Sequence, residues 1–162
     1  MNEQSLTFKD LGKNPLLLLA FGFGSGLSPK APGTAGTLLA LVIFPVLAQL
    51  PLWGYLLVLV VAFVAGIYIC QHASQKLGVH DHGGVVWDEF VGYWIAMTAL
   101  PCSWQWILAG FILFRLFDIA KPWPIKWADS KVSGGLGVML DDVIAGLFSW
   151  IILYSAYIGF FR

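Results

Sequence analysis

Five of the chain's nine carboxylates, Asp88, Glu89, Asp118, Asp141 and Asp142, lie inside or at the ends of long apolar runs. An ionisable group in a membrane segment costs roughly 2.5–3.5 kcal/mol on insertion scales, so its presence points to function. Five acids of one sign on three separate segments need a shared counter-charge. A hard cation such as Mg²⁺ supplies one, because it is bound by carboxylate oxygens. The five acids are therefore candidate metal ligands.

Cations stand close by. Arg115, Asp118 and Lys121 are spaced i, i+3, i+6 in a run that reaches Pro122, which predicts that they share one helix face. The bland reading is an intrahelical salt bridge. The chemical reading is a phosphate site, which needs cations for the non-bridging oxygens as well as acids for a metal. Gly92, beside the Asp88–Glu89 pair, permits close approach by another group. The glycines at Gly134, Gly135 and Gly137 read as a loop leading to Asp141 and Asp142 in the first turn of a last helix.

Other candidates carry weaker signals. The stretch from Gly22 to Thr37 holds Ser25, Lys30 and Thr34, which could donate to phosphate ahead of a helix N-terminus. It lacks the Gly-Lys-Ser/Thr ending of a nucleotide-binding loop. His80 and His82 flank Asp81, and the oxygen-rich remainder of the set argues against zinc, leaving them a supporting role in substrate binding. Lys126 is a further candidate for the substrate head group, or simply faces lipid. His72 reads as structural.

Helices must position these groups. The apolar runs do not alternate as barrel strands do, so an all-α membrane bundle is expected. Four to five membrane segments are predicted, over 34–50 (broken by Pro45), 52–71, 85–100, 104–120 and 138–161. A short interfacial or re-entrant helix is expected over 16–23, and residues 1–14 read as a polar tail rather than a signal peptide. The remainder, 15–162, reads as one helical domain. Tight turns at 49–51 and 101–103 predict two antiparallel hairpins.

Lys9, Lys13, Lys30, Lys76, Lys121, Lys126 and Lys131 fall on the N-terminal side and the two longer links, which the positive-inside rule places in the cytoplasm. Trp53 and Trp104 fit one interfacial belt, and Trp87, Trp123 and Trp127 the other. With that topology all five acids meet at the cytoplasmic membrane–water boundary.

Composition agrees. The chain is 59% hydrophobic and 11% charged, against about 25% charged in soluble domains. Its formal net charge is zero, which argues against nucleic acid as a partner. Cys70 and Cys102 sit singly in apolar surroundings and read as small hydrophobes.

The ordered motifs resemble those of the phosphatidylglycerophosphatase A family. They are Gly-Phe-Gly-Ser-Gly-Leu-Ser-Pro with Pro-Gly-Thr (22–34), Val-His-Asp-His-Gly (79–83), Trp-Asp-Glu-Phe (87–90), Arg-x-x-Asp-x-x-Lys-Pro-Trp-Pro (115–124) and Asp141-Asp142. The resemblance implies Mg²⁺-dependent hydrolysis of the terminal phosphate of phosphatidylglycerophosphate, in an all-helical enzyme of the bacterial inner membrane. On that reading the acids hold one or two Mg²⁺ ions, Arg115 and Lys121 stabilise the phosphoryl oxygens, and either water or an aspartate is the nucleophile. The alternative is a small transporter or channel subunit that uses its acids for ion binding, since intramembrane carboxylates mark ion pathways too. A transporter would place them near the midplane on repeated halves, and no internal repeat is present.

Overall fold

The computed structural model describes residues 6–79 and 82–160. His80 lies outside them. The regular elements are α1 (Phe8–Gly12), α2 (Pro15–Ala20), a 3-10 segment (Gly22–Leu27), α3 (Pro32–Leu47), α4 (Leu52–Leu77), α5 (Trp87–Ala96), α6 (Trp104–Ala120), α7 (Ile125–Lys131) and α8 (Gly134–Phe160). All are helical, as the apolar runs predict.

Among the described residues, α4 and α8 are long and apolar enough to cross a membrane. At 26 and 27 residues they extend about 40 Å at a rise of about 1.5 Å per residue. The side chains of α4 turn their apolar groups outward: Trp53, Leu57, Val60, Val61, Val64 and Tyr68 are exposed. Water would not tolerate a continuous apolar face of this kind, and a lipid or protein surface is its natural cover. The chain is membrane-associated.

The remaining segments differ from expectation in instructive ways. Pro45 does not break its helix; α3 runs through it to Leu47. Pro45 lies in the helix's last turn, and its carbonyl accepts from Gln49 Nε2 at 3.2 Å. α5 has only 10 residues, about 15 Å, half of a hydrocarbon core of about 30 Å. Its neighbours enclose it: Glu89 to Trp94 and Ala96 are all buried.

Being enclosed lets α5 end early. Carbonyls in its last turn and in the stretch just beyond it find side-chain donors, as backbone polar groups away from water must. Tyr55 OH donates to Trp94 O at 2.6 Å, and Trp150 Nε1 donates to Thr98 O at 2.9 Å. Two more indoles hold α5 in place: Trp87 Nε1 donates to Ala62 O and Trp94 Nε1 to Ala40 O, each at 3.0 Å. Trp87 is half-buried and stacked on Phe90. Trp53, Trp104, Trp123 and Trp127 are exposed.

The first predicted hairpin is not a packed pair. α5 packs against both α3 and α4, so helices joined by a tight turn are held apart by a third. The α3–α4 and α5–α6 turns come together at one end of the bundle, where Leu50, Leu52, Ala99 and Leu100 share a small apolar cavity.

α8 begins four residues, about one turn, earlier than expected. Gly134, Gly135 and Gly137 form its first turn rather than a loop, and Asp141 and Asp142 sit in its interior. The glycines serve packing: a Cβ on Gly135 would run into Ile67 O and lie 2.7 Å from Gln71 N of α4. Gly135 N–H also donates to Gln71 Oε1 at 2.8 Å. The α5–α8 crossing uses the same device. A Cβ on Gly92 would lie 2.8 Å from Asp142 O, and one on Gly146 would strike the Gly92 carbonyl. Small residues here let two helix backbones touch.

Gly146→Val should therefore destabilise the fold by roughly 1–3 kcal/mol, because backbone cannot yield as a flexible side chain does. Thermal unfolding in detergent checks this; an unchanged midpoint would mean that the crossing is looser than described.

Candidate active site

Three helices bring the acids together. The α5–α8 contact at Gly92 sets Glu89 beside Asp142. The last turn of α6 contributes Arg115 and Asp118, and Lys121 follows at its C-terminus. The result is a cleft of about 320 Å³ whose wall includes Asp88, Glu89, Arg115, Asp118, Lys121, Asp141 and Asp142. Ala31, Pro32 and Gly33 at the start of α3, and Gly83 and Val85 ahead of α5, complete it. These seven charged residues are those that the sequence singled out for a metal and a phosphate.

Within the cleft the charges are ordered. Asp118, Asp141 and Asp142 each offer a carboxylate oxygen within 4.8 Å of the others. Asp141 and Asp142 are buried. Asp141 Oδ1 is buried with no hydrogen-bond partner among the described residues. A trio of hard oxygens, one of them unsatisfied, suits Mg²⁺. Asp88 and Glu89 line the same cleft but do not belong to the trio. Asp88 Oδ1 accepts from Glu89 N–H at 3.0 Å.

The cations are clamped between acids. Arg115 Nη1 is paired with Glu89 Oε2, and with Asp118 Oδ2 at 2.7 Å. The intrahelical salt bridge and the shared cleft thus coexist. Lys121 does not prolong the helix face that holds Arg115 and Asp118. It caps α6 in the left-handed conformation, φ 42°, and its ammonium turns to Asp141 Oδ2 at 2.7 Å and Asp129 Oδ1 at 2.8 Å. Burial alone would lower the Lys121 pKa, but the two carboxylate partners outweigh it and raise the value above the ordinary lysine range.

Sequence reasoning missed Thr37, Gly33 and Asp129. Thr37 is fully buried, with Oγ1 2.8 Å from Glu89 Oε2. Asp129 lies on α7, which the sequence reading left within a polar link. The i, i+4 spacing of Gly33 and Thr37 was visible, but nothing in the sequence tied it to an acid 52 residues away.

Other candidates stand off the cleft wall. Ser25 Oγ donates to Gly22 O at 2.9 Å and closes its own turn. Lys30 and Lys126 are exposed, and Thr34 is half-buried in the first turn of α3. His82 Nδ1 accepts from Gly84 N–H at 3.0 Å, and its ring lies 5.5 Å from that of Phe21. Ser25 and His82 thus have local partners. His72 pairs with Asn14, the N-cap of α2, at 3.1 Å, in keeping with its structural reading.

Fold and site together define a helical membrane-associated protein with an acidic cleft and two fixed cations, an arrangement that fits phosphate chemistry. The phosphatidylglycerophosphatase A family model matches residues 18–157. A phosphatidylglycerophosphatase A of Escherichia coli (strain K12) is 51% identical over 142 residues, 87% of this chain and 83% of the relative. One of Haemophilus influenzae is 49% identical over 147 residues, 88% of each chain. A putative phosphatidylinositol-3-phosphatase of Bacteroides thetaiotaomicron is 43% identical over 148 residues, 86% of this chain and 92% of the relative. No solved structure matches the chain. The chain belongs to the phosphatidylglycerophosphatase A family.

If the trio holds a divalent cation, binding should stabilise the folded state, by about 2.7 kcal/mol at a hundredfold excess over Kd. Thermal unfolding of the wild type should shift upward by several degrees on adding Mg²⁺. Asp142→Asn should lose that shift while melting no lower than wild type in chelator, since it removes one of several crowded like charges. An intact Mg²⁺ response in Asp142→Asn would take that residue out of the site.

Proposed function

We propose that the chain is a phosphatidylglycerophosphatase: it hydrolyses the terminal phosphomonoester of phosphatidylglycerophosphate to leave phosphatidylglycerol, in phospholipid synthesis. The observation that carries this reading is the charge of the cleft. Five carboxylates face two cations, an excess of three negative charges if all are ionised. A phosphate dianion enters such a cleft only with a divalent cation, and family membership names the phosphate ester.

Asp118, Asp141 and Asp142 would hold Mg²⁺. When bound, the ion supplies charge neutralisation at the phosphoryl group and activation of a nucleophile. The chain's own part is binding and orientation. Arg115 has two further guanidinium nitrogens besides the shared Nη1, of which Nε is buried without a hydrogen-bond partner among the described residues; a guanidinium fork matches two phosphate oxygens. Lys121, held by Asp129 and Asp141, offers a point charge on the wall of the same cleft. Together they hold the phosphoryl group against the carboxylate trio and stabilise charge on its equatorial oxygens.

The proposed setting is the bacterial inner membrane, with the cleft at the cytoplasmic boundary. Five passes satisfy the parity of the chain: α3, α4, α6 and α8, and a third pass made by α5 with the irregular stretch that follows it. The lysines supply the orientation. The lipid body then stays in the bilayer while the head group reaches the acids. The transporter reading fits less well, because the acids gather at one end of the bundle, away from the end that holds both tight turns.

Purified protein in detergent should release phosphate from phosphatidylglycerophosphate in Mg²⁺ and stop with chelator. Phosphatidate, a phosphatidylinositol 3-phosphate and a soluble phosphate ester serve as comparisons. Asp118→Asn and Asp142→Asn should each lower turnover by on the order of 10²–10³-fold with the fold intact. Ion flux without phosphate release would favour a transporter instead. Cys102 tests the topology. It is exposed in the α5–α6 turn, so a membrane-impermeant maleimide should label it in right-side-out vesicles and not in sealed inside-out ones. The reverse pattern would invert the proposed orientation.

A further inference from the structure

The Pro-Gly-Thr stretch at the start of α3 first reads as a phosphate-binding loop, yet Thr34 and Lys30 stay off the cleft wall. What α3 does place at the site is Gly33 of that stretch and Thr37 one turn further along. Thr37 Oγ1 lies 2.8 Å from Glu89 Oε2 and 2.9 Å from Gly33 O. A threonine inside a helix ordinarily satisfies itself on the carbonyl four residues back. Here a carboxylate from another helix competes for the single hydroxyl proton, and an ionised acceptor forms the stronger bond. Gly33 stands one turn before Thr37. A Cβ there would overlap Glu89 Oε1 and lie 3.2 Å from Arg115 Nη1. One oxygen of Glu89 is therefore fixed by Thr37 and Arg115, and the other rests against a position that tolerates only hydrogen.

We propose that Thr37 and Gly33 are positioning residues that seat Glu89 as the permanent counter-ion of Arg115, and that this seat, rather than metal ligation, is the part Glu89 plays. The inference rests on the phosphatase reading and deepens it. Arg115 Nη1 is shared between Glu89 and Asp118. Asp118 belongs to the carboxylate trio, whereas Glu89 does not. Asp118 thus has a second task, and Glu89 is free to hold the guanidinium. A long side chain with several rotamers is thereby fixed before substrate arrives, which lowers the entropic cost of aligning its fork with the phosphoryl oxygens. Thr37 and Gly33 touch no substrate in this scheme; they act through Glu89 and then Arg115.

The test is a double-mutant cycle on the full chain in detergent with Mg²⁺. Thr37→Val keeps the shape and removes the hydroxyl; it should lower kcat/KM for phosphatidylglycerophosphate about tenfold. Thr37→Ser should stay within twofold of wild type. In an Arg115→Lys background, Thr37→Val should cost less than a further twofold, because the fork it positions is gone. A wild-type kcat/KM in Thr37→Val, or a loss that adds in full to that of Arg115→Lys, overturns the proposal. Should Thr37→Val fail to fold, Gly33→Ala takes its place in the same cycle with the same non-additivity expected, and full additivity again overturns the idea.

A second readout is independent of turnover. Inorganic phosphate with Mg²⁺ should raise the thermal midpoint of wild type more than that of Thr37→Val, and equal shifts count against the seat. An active wild type with additive variants defeats this inference alone. A wild type that neither turns over a phospholipid monoester nor responds to phosphate defeats the phosphatase reading as well.

Discussion

Carboxylates crowded within 4–5 Å of one another repel by roughly 3–4 kcal/mol per pair at an effective dielectric near 20. This molecule gathers five of them around one cleft, partly shielded from water, and much of the structure follows from making that arrangement bearable. Arg115 and Lys121 are each shared between two acids, so two cations moderate four of the charges: Glu89, Asp118, Asp129 and Asp141. Asp129 lies outside the cleft wall and draws on Lys121 as well. The excess negative charge left over is what a divalent ion and a phosphate would use.

Bringing the acids so close demands that helix backbones approach closely. At the α5–α8 crossing Gly92 and Gly146 supply the space, and Gly135 does so where α8 meets α4. α5 is the element that ties these contacts together. It is short, mostly buried and wrapped by its neighbours; Tyr55 answers a carbonyl in its last turn and Trp150 one in the stretch just beyond it. Indole and phenol groups suit this task, because each buries a large apolar body while delivering one polar hydrogen. An early helix end at membrane depth is tolerable only when such donors are present. The same enclosure holds Glu89 at the depth of Thr37, so packing and site geometry are one problem.

Much of the site was legible. Charged residues in apolar surroundings stand out by type and position, which is why all seven charged residues of the cleft could be named. The elements were legible to the extent that apolar length marks them: α6 falls on its expected bounds, while α4 starts where expected and runs on past residue 71 through a polar last stretch to Leu77. The bond from Trp87 to Ala62 O was not legible, because an indole at a helix start looks the same in sequence whichever carbonyl it meets. The early start of α8 was misread because glycines suggest a loop when the backbone they pack against is unknown. Asp129 was passed over since it lies in a polar stretch where an acid is unremarkable.

Residue type and spacing by themselves determined the class of fold, the helical stretches and the acids and bases that have no other reason to lie among apolar side chains. They did so because burying a charge is costly wherever it occurs, so its mere presence is informative. Only the tertiary structure decided which acids share which cation, that α5 separates α3 from α4, and that Gly33 and Thr37 face Glu89. Those outcomes depend on how backbones cross and on distances of 3 Å or less, and no regularity along the chain records a contact between helices 52 residues apart.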